Sequence, residues 1–227
     1  MQLFKKYCLM LVMLAMVAQA QQSAEELYQA ASKGDPAAFA QLRALGNKGD
    51  TGAQARVGLL YETGKSVPKD AVQAVSWYRK SANQGDSLGQ YFLATMYRNG
   101  DGVPQDSVQA VFWFRKSAEQ GDAGAQAQVG VAYTLGNGVP KDAALAAFWY
   151  RKSAEQGNAD GQGSLGAKYA TGNGVPKDLV IAYMWINLAA AQGDEIAKET
   201  REILEKLMTP AQIAEGQKLS REWRPKP

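Results

Sequence analysis

The residues of this sequence that could perform chemistry are carboxylates at a fixed spacing. No histidine occurs among the 227 residues. Ser-His-Asp and Cys-His nucleophilic sites are therefore excluded, as is any histidine-ligated metal centre. Carboxylate-only chemistry, as in glycoside hydrolases, needs one carboxyl group as acid and a second as base or nucleophile. The recurring carboxylates are Asp70, Asp106, Asp142 and Asp178, at intervals of 36 residues.

The setting of these aspartates favours a structural role. Each follows a Val-Pro-x segment and precedes a run with helical spacing of apolar residues. An N-cap side chain stands at that place and accepts hydrogen bonds from first-turn amides. Capping explains all four aspartates with one mechanism, whereas catalysis needs only one pair. We therefore predict no catalytic residue, no metal site and no cofactor.

Glycine-rich loops precede the aspartates and are the second feature with possible chemistry. Three of them read Gly-x-Gly-Val-Pro, and the first has Ser66 in place of the second glycine. A phosphate-binding glycine loop follows a strand and opens a helix. Here a helical pattern precedes the loop, so we interpret it as a turn whose first glycine ends a helix in the left-handed conformation. Those first glycines are Gly64, Gly100, Gly136 and Gly172.

All these positions belong to one repeating unit. The copy at 86–121 reads DSLGQYFLATMYRNGDGVPQDSVQAVFWFRKSAEQG. Self-similarity at a fixed period of this length is typical of solenoids, in which stacked units share a core. The apolar spacing predicts one helix on each side of the loop. One tryptophan per unit is predicted to lie in the core, at Trp77, Trp113, Trp149 and Trp185.

The repeat divides the chain into segments. We predict a signal peptide over residues 1–20 and a degenerate N-terminal repeat over 21–49. A helical cap and tail over 194–227 is expected to cover the apolar end of the stack. Between them lie four repeats, at 50–85, 86–121, 122–157 and 158–193.

Residues 1–20 have the pattern of a secretory signal. Lys5 and Lys6 precede an apolar stretch from Cys8 to Ala18, and Ala18-Gln19-Ala20 is a small-x-small cleavage pattern. The stretch is shorter than the ~20 residues that a membrane-spanning helix needs. Cleavage would leave a chain without stable membrane insertion. We expect export to the periplasm, with secretion as the alternative; an uncleaved anchor is less favoured.

The composition limits the remaining function classes. The only cysteine lies in the predicted signal, so no disulfide can staple the exported fold. The full chain has a net charge of +3, of which Lys5 and Lys6 supply two. The remaining charge is too small for a nucleic-acid footprint. The composition indicates no particular oligomeric state.

The repeat resembles the Sel-one-like repeat family, a relative of the tetratricopeptide repeats. The resemblance rests on Leu-Gly-x-x-Tyr, as at Leu165–Tyr169, then Gly-x-Gly-Val-Pro-x-Asp, then Ala-x-x-Trp-Tyr-x-Lys-x-Ala and a closing glycine. About a dozen positions recur in the four units over 50–193. The resemblance implies an all-α, right-handed α-solenoid of helix-turn-helix repeats whose first helices line the concave surface.

The resemblance also implies a role as a scaffold or adaptor that assembles other proteins, often in bacterial envelopes. Family members for which enzymatic activity or antibiotic binding is claimed tend to be rich in disulfide-bonded cysteine. This chain departs from that pattern. We therefore expect an exported, non-catalytic scaffold that binds a protein or peptide. A module for cell-wall glycan or peptide in the same groove is the alternative, with Tyr91, Gln128 and Glu62 as its polar and aromatic groups. An envelope enzyme ranks third.

Positions that differ between repeats are the candidates for partner binding. In the first helices, one such slot holds Phe92 in the second repeat, and the slot four residues later holds Met96. With Tyr91 they would form the apolar centre of a concave binding surface. The alternative is that Phe92 and Met96 fill gaps between repeats. The full set of candidates is Arg56, Leu60, Tyr91, Phe92, Met96, Gln128 and Lys168.

Overall fold

The structure, a computed structural model, describes residues 23–226, and over this range it is all-α, with twelve helices and no strand. The predicted signal lies outside the described residues. None of the helices within 23–226 is long and apolar enough to cross a bilayer. The helices are α1 Ala24–Ser32, α2 Pro36–Asn47, α3 Thr51–Thr63, α4 Ala71–Asn83, α5 Ser87–Asn99, α6 Ser107–Glu119, α7 Ala123–Leu135, α8 Ala143–Glu155, α9 Ala159–Thr171, α10 Leu179–Ala191, α11 Glu195–Leu207 and α12 Pro210–Glu222.

Each repeat consists of a first and a second helix of 13 residues, both begun by a capping side chain. In the first repeat, Asp50 Oδ1 accepts the Ala53 N–H at 2.7 Å and Asp70 Oδ1 accepts the Gln73 N–H at 3.0 Å. The predicted capping role of the recurring aspartates is thus confirmed. The same bonds occur at Asp86, Asp106, Asp122, Asp142, Asn158 and Asp178.

The turn between the two helices has two positions with positive φ, which glycine fills except at Ser66. The first glycine of each loop ends the first helix at a φ of 72° to 80°, as predicted. The second glycine packs against the preceding repeat, because a Cβ on Gly102 would lie 2.3 Å from the Ala71 carbonyl oxygen. Ser66 takes this place in the first repeat at a φ of 62°, and its hydroxyl donates to the Ala31 carbonyl. The loop therefore contributes to the contact between neighbouring repeats.

The tryptophans lie mostly in the core, as predicted. Trp77, Trp149 and Trp185 are buried, with 6% to 7% of their surface exposed. Trp113 is half-buried and packs against the same core. One tryptophan per repeat therefore supplies packing between units.

The two ends of the stack are closed differently. At the N-terminus, Phe39 and Leu42 of α2 join Val57 of α3 in one buried cluster. At the C-terminus, α11 and α12 both pack against α10. The Trp223 ring at the end of α12 meets the Trp185 ring at 5.9 Å between centroids.

The stack has an inner and an outer side. First helices of neighbouring repeats pack against each other at two of the three junctions, α3 on α5 and α7 on α9, whereas no two consecutive second helices within 23–226 are packed to that extent. Helices that approach each other more closely lie on the inner side of a curved stack. First helices therefore line the inner surface, and second helices form the outer surface.

Candidate partner-binding groove

The inner surface contains a groove of about 370 Å³ that runs over α9 between α7 and α11. Its floor is formed by Gly163, Ser164 and Ala167 of α9. Val131 of α7 lines one wall and Ile196 of α11 lines the other. The groove thus spans the third repeat, the fourth repeat and the first helix of the C-terminal cap.

Small side chains on α9 create the groove. Gly163, Ser164 and Ala167 stand where the second repeat has Tyr91, Phe92 and Thr95, two periods earlier in the sequence. The larger residues of the second repeat fill the inner surface there. The smaller residues of the fourth repeat leave it open.

Exposed apolar side chains occur on the two helices that flank the groove. Ile196 has 77% of its surface exposed, which is far above what a core residue shows. Ile203 and Leu207 extend the apolar surface along α11, and Leu135 extends it at the end of α7; all three are exposed. Exposed apolar surface beside a groove is typical of an interaction site.

One end of the groove is acidic. Asp160 lies in the first turn of α9, and Asp194 caps α11 through the Ala197 N–H at 3.0 Å. No basic side chain within 23–226 forms a salt bridge with either carboxylate. On the other side, Gln128 lines the groove and its Oε1 accepts a bond from the Arg98 guanidinium at 2.6 Å.

Two predicted binding residues lie in the core, which corrects the sequence-based expectation. Leu60 has 0% and Met96 has 1% of its surface exposed. Leu60 packs in a cluster with Leu42, and Met96 packs with Leu93. Their slot in the first helix faces neighbouring helices of the stack. Neither side chain can reach a partner.

Lys168 occupies the same slot in the fourth repeat and is also buried, with 7% of its surface exposed. Its expected role on an open surface is therefore wrong as well. Burial disfavours the charged ammonium and lowers the pKa of Lys168 below its ordinary value. The residue is a lysine in a position built for an apolar side chain.

Phe92 and Tyr91 are half-buried and lie outside the groove. The Phe92 ring stacks on Tyr78 at 5.1 Å between centroids, and the Tyr91 ring meets Phe114 edge-on at 5.5 Å. The Phe92 contact joins the second repeat to the first, and the Tyr91 contact joins the two helices of the second repeat. Of the two interpretations weighed for Phe92, gap filling between repeats agrees with the structure.

The remaining candidates are Arg56 and Gln128. Arg56 Nη2 lies 2.6 Å from Glu25 Oε2 and so ties α3 to α1. Of the seven candidates, only Gln128 lines the groove. The structure therefore places the open part of the inner surface nearer to the C-terminus than the sequence predicted.

Sequence reasoning also missed a set of buried glutamines in the first helices. The Gln126 Nε2 donates to the Ala118 carbonyl of the preceding repeat at 3.1 Å, and its Oε1 accepts from Gln156 Nε2 at 2.8 Å. The signal was present in the sequence, as glutamine at a fixed period within an apolar pattern. The four are Gln54, Gln90, Gln126 and Gln162, each at most 4% exposed.

Within the described residues, no group of acidic or cysteine side chains is arranged to hold a metal ion. The profile of the Sel1 repeat matches residues 51–86, 87–122, 123–158 and 159–194. The chain belongs to the Sel1 repeat family. Each matched range begins one residue after the start of a repeat as read from the sequence.

Solved structures support the same family. The Sel1 repeat protein from Oxalobacter formigenes is 28% identical over 92% of this chain and 89% of its own, with a TM-score of 0.74. A protective antigen of uropathogenic Escherichia coli with an SLR fold is 32% identical over 88% of this chain and 55% of its own, with a TM-score of 0.53. A Pseudomonas aeruginosa protein, 21% identical with a TM-score of 0.52 over 89% of this chain and 84% of its own, shares the fold. No curated protein matches the sequence significantly.

Sel1 repeat proteins generally act as scaffolds for protein–protein interaction, and the family is typically non-catalytic. For this Sel1 repeat protein, the groove over α9 combines depth with an exposed apolar side chain, Ile196, on its wall.

Proposed function

We propose that this chain is an exported, non-catalytic scaffold that binds a segment of a partner polypeptide in the groove over α9. The observation that carries the proposal is the open apolar groove itself. Its floor consists of small side chains, and Ile196 on its wall is 77% exposed. Apolar surface of this kind is stabilised when a partner removes it from water.

The shape of the groove favours a polypeptide with a bulky apolar anchor. A volume of about 370 Å³ accommodates a few side chains. Interfaces concentrate their binding energy in such buried anchors, which are surrounded by a polar rim. Asp160 and Gln128 supply polar groups at the rim here. The exposed Ile203 and Leu207 continue the apolar surface beyond the anchor site.

The glycan alternative finds no support in the arrangement of its three residues. The Glu62 carboxylate accepts a bond from the Tyr78 hydroxyl, and the Gln128 side chain is bound by Arg98. Tyr91 packs against Phe114. These side chains belong to three different repeats and make their polar or aromatic contacts within the stack.

Export is supported by the sequence pattern of residues 1–20, which lie outside the described residues. We propose the periplasm as the destination, with secretion as the alternative. Mass determination of the N-terminus of the chain recovered from its native cell tests this part separately. A chain that begins at Gln21 supports export, and a chain that retains residues 1–20 contradicts it.

The binding proposal is tested by photocrosslinking in the native cell, with a photoreactive residue at Ile196. A single dominant protein adduct is expected, because Ile196 lines the groove and is exposed. In the same chain, Ala167→Trp should abolish that adduct, because the new ring fills the groove. Ala167 is exposed on the inner surface, so the substitution should leave the helical circular dichroism unchanged.

The matched control is Lys65→Trp, which adds the same ring on an exposed loop of the first repeat. That variant should retain the adduct. Adduct formation that persists in a folded Ala167→Trp variant overturns the groove as the binding site. Adducts to cell-wall fragments would support the glycan alternative.

A further inference from the structure

The outer surface carries a second set of exposed apolar side chains, on the second helices. Phe112 of α6 is 47% exposed and Phe148 of α8 is 49% exposed, 36 residues apart at equivalent positions. We call the set the outer stripe; it consists of Val72, Val108, Phe112, Leu145 and Phe148. It lies on the side of the stack opposite the groove, since second helices form the outer surface.

Basic side chains accompany the outer stripe. The Lys116 ammonium lies 5.2 Å from the centre of the Phe112 ring, and the Lys152 ammonium lies 5.2 Å from that of Phe148. Glu119 and Glu155 are the acidic side chains in the same last turns of α6 and α8. The basic residues in these turns are exposed and outnumber the acidic ones; they are Arg115, Lys116, Arg151 and Lys152. Arg79 and Lys80 hold the equivalent places in α4 and are exposed as well.

In the fourth repeat, α12 of the same chain covers the face that corresponds to the outer stripe. The position of Phe112 and Phe148 is occupied by Met184, which α12 buries to 8% exposure. Ser220 of α12 donates its hydroxyl to the Met184 carbonyl at 3.2 Å. The Arg-Lys pair is replaced there by Asn187 and Leu188. Where the face is covered by the chain, both the aromatic ring and the cations are absent.

The second and third repeats keep both the exposed aromatic ring and the neighbouring cations. This combination points to an occupant from outside the chain that is both anionic and apolar. A bilayer with anionic lipids presents both features in one plane, because its phosphates attract Lys and Arg and its interface admits aromatic side chains. The outer stripe projects from second helices, which form the outer surface of the stack. A pocket beside Lys152, lined also by Gln120 and Glu155, does not include the rings of the outer stripe. The rings therefore stand on open surface, which can lie on a membrane.

We propose that the outer stripe binds the surface of membranes that contain anionic lipids, with Phe112 and Phe148 entering the interface and Lys116 and Lys152 contacting the phosphates. The interaction is peripheral. It leaves the groove over α9 facing away from the membrane and open to a partner.

The test is co-sedimentation of the purified chain with vesicles of phosphatidylcholine alone and of phosphatidylcholine with an equal amount of phosphatidylglycerol. The double variant Phe112→Ser/Phe148→Ser removes the rings, and serine is tolerated because Ser76 occupies this position in the first repeat. We expect at least a tenfold loss of binding to anionic vesicles. Lys116→Gln/Lys152→Gln should lose about 25-fold, at about fivefold for each lysine near an anionic surface, and should weaken the salt dependence.

The matched control is Ile203→Ser/Leu207→Ser, which removes two exposed apolar side chains from the inner surface. It should bind anionic vesicles as the unmodified chain does. Residues 1–22 are kept identical in every protein, so they do not contribute to the differences, and circular dichroism verifies the fold of each.

The proposal is overturned if the serine variant binds anionic vesicles as well as the unmodified chain, or if no protein prefers them to phosphatidylcholine alone. Binding of soluble polyglutamate through Lys116 and Lys152, without binding of vesicles, would assign the outer stripe to an acidic protein instead. The Ile196 crosslink is independent of these results, because it reports the opposite face.

Discussion

The backbone of Gly130 lies against the ring of Tyr150, and a Cβ on Gly130 would stand 2.6 Å from two ring carbons. The same relationship joins Gly58 to Tyr78, where the distance would be 2.7 Å. In the second repeat the small residue is Ala94, which shares a core cluster with Phe114. The pairing of first and second helices thus depends on the sizes of two residues 20 positions apart.

Gly130→Ala should destabilise the protein by about 1–3 kcal/mol, because the added methyl group overpacks a filled core. The unfolding midpoint in urea, followed by circular dichroism, measures the change. Adding Tyr150→Phe should recover part of the loss, since it frees the ring from the bond that joins its hydroxyl to Thr134 at 3.2 Å.

Gly124→Ala is the matched control for this substitution. Its Cβ would meet no atom closer than 3.3 Å, and alanine is favoured over glycine in a helix by about 1 kcal/mol. Gly124→Ala should therefore be neutral or stabilising. Equal destabilisation by the two alanines would contradict the packing argument.

Gln126→Ala should lower the free energy of unfolding by about 1–3 kcal/mol, because it removes a buried amide that bonds two helices. Gln126 reaches the Ala118 carbonyl and Gln156 at 3.1 and 2.8 Å. A double-mutant cycle with Gln156→Ala should show coupling of about 0.5–3 kcal/mol.

The exposed Gln105 provides the comparison. Its Nε2 also donates to a backbone carbonyl, that of Arg98 at 2.8 Å, but in contact with water. Gln105→Ala should change stability by no more than about 0.5 kcal/mol. A null effect of Gln126→Ala would show that the amide bonds are replaced by water at no cost.

Lys168→Met should stabilise the protein at neutral pH, because Met96 fills the same slot in the second repeat. Burial lowers the pKa of Lys168 below its ordinary 10.5, so the folded state is penalised while the lysine is charged. The penalty is complete below the lowered pKa of the folded state. It is relieved as the pH rises from that pKa to 10.5, where the unfolded lysine also loses its proton.

The advantage of the methionine variant should therefore be largest near neutral pH and shrink as the pH approaches 10.5. Urea midpoints of both proteins at several pH values measure the difference. Tyr78 and Tyr150, whose pKa burial raises, are present in both proteins and cancel. A pH-independent advantage would contradict the assigned role of charge burial.

Trp223→Ala should destabilise the protein by roughly 2 kcal/mol. This is less than the cost of truncating a fully buried tryptophan, because Trp223 is half-buried. Its ring packs against Trp185, and a Cβ on Gly157 would lie 3.6 Å from it. Trp223→Phe, which keeps an aromatic ring, should lose less. The unfolding midpoint and the rate of C-terminal proteolysis measure both, and equal stability of the alanine variant and the unmodified chain would contradict a capping role for α12.

The helix pairs could be predicted from the sequence because their signals are local. An aspartate before each helix and a glycine after each first helix depend on a few neighbouring residues. Asp70 and Gly64 could therefore be assigned without knowledge of the stack. Their repetition at one period then predicted that the helix pairs stack into a solenoid.

The groove could not be assigned in the same way, because it depends on three helices that are distant in sequence. Periodicity places Leu60, Met96 and Lys168 on one face of their helices, but it does not show which neighbour covers that face. The small residues Gly163 and Ala167 form a groove only because Val131 and Ile196 on the flanking helices stand beside them. Comparison of equivalent slots for side-chain volume would have found the gap.

The buried glutamines make the joints between repeats chemically alike. Gln54, Gln90 and Gln126 each donate to a carbonyl eight residues earlier, in the preceding unit. A joint of this kind does not distinguish which two units it connects. A gene that gains or loses a whole 36-residue segment therefore encodes the same joints on either side. Evolution can lengthen or shorten the protein in whole steps, and the reach of its inner surface changes with each step.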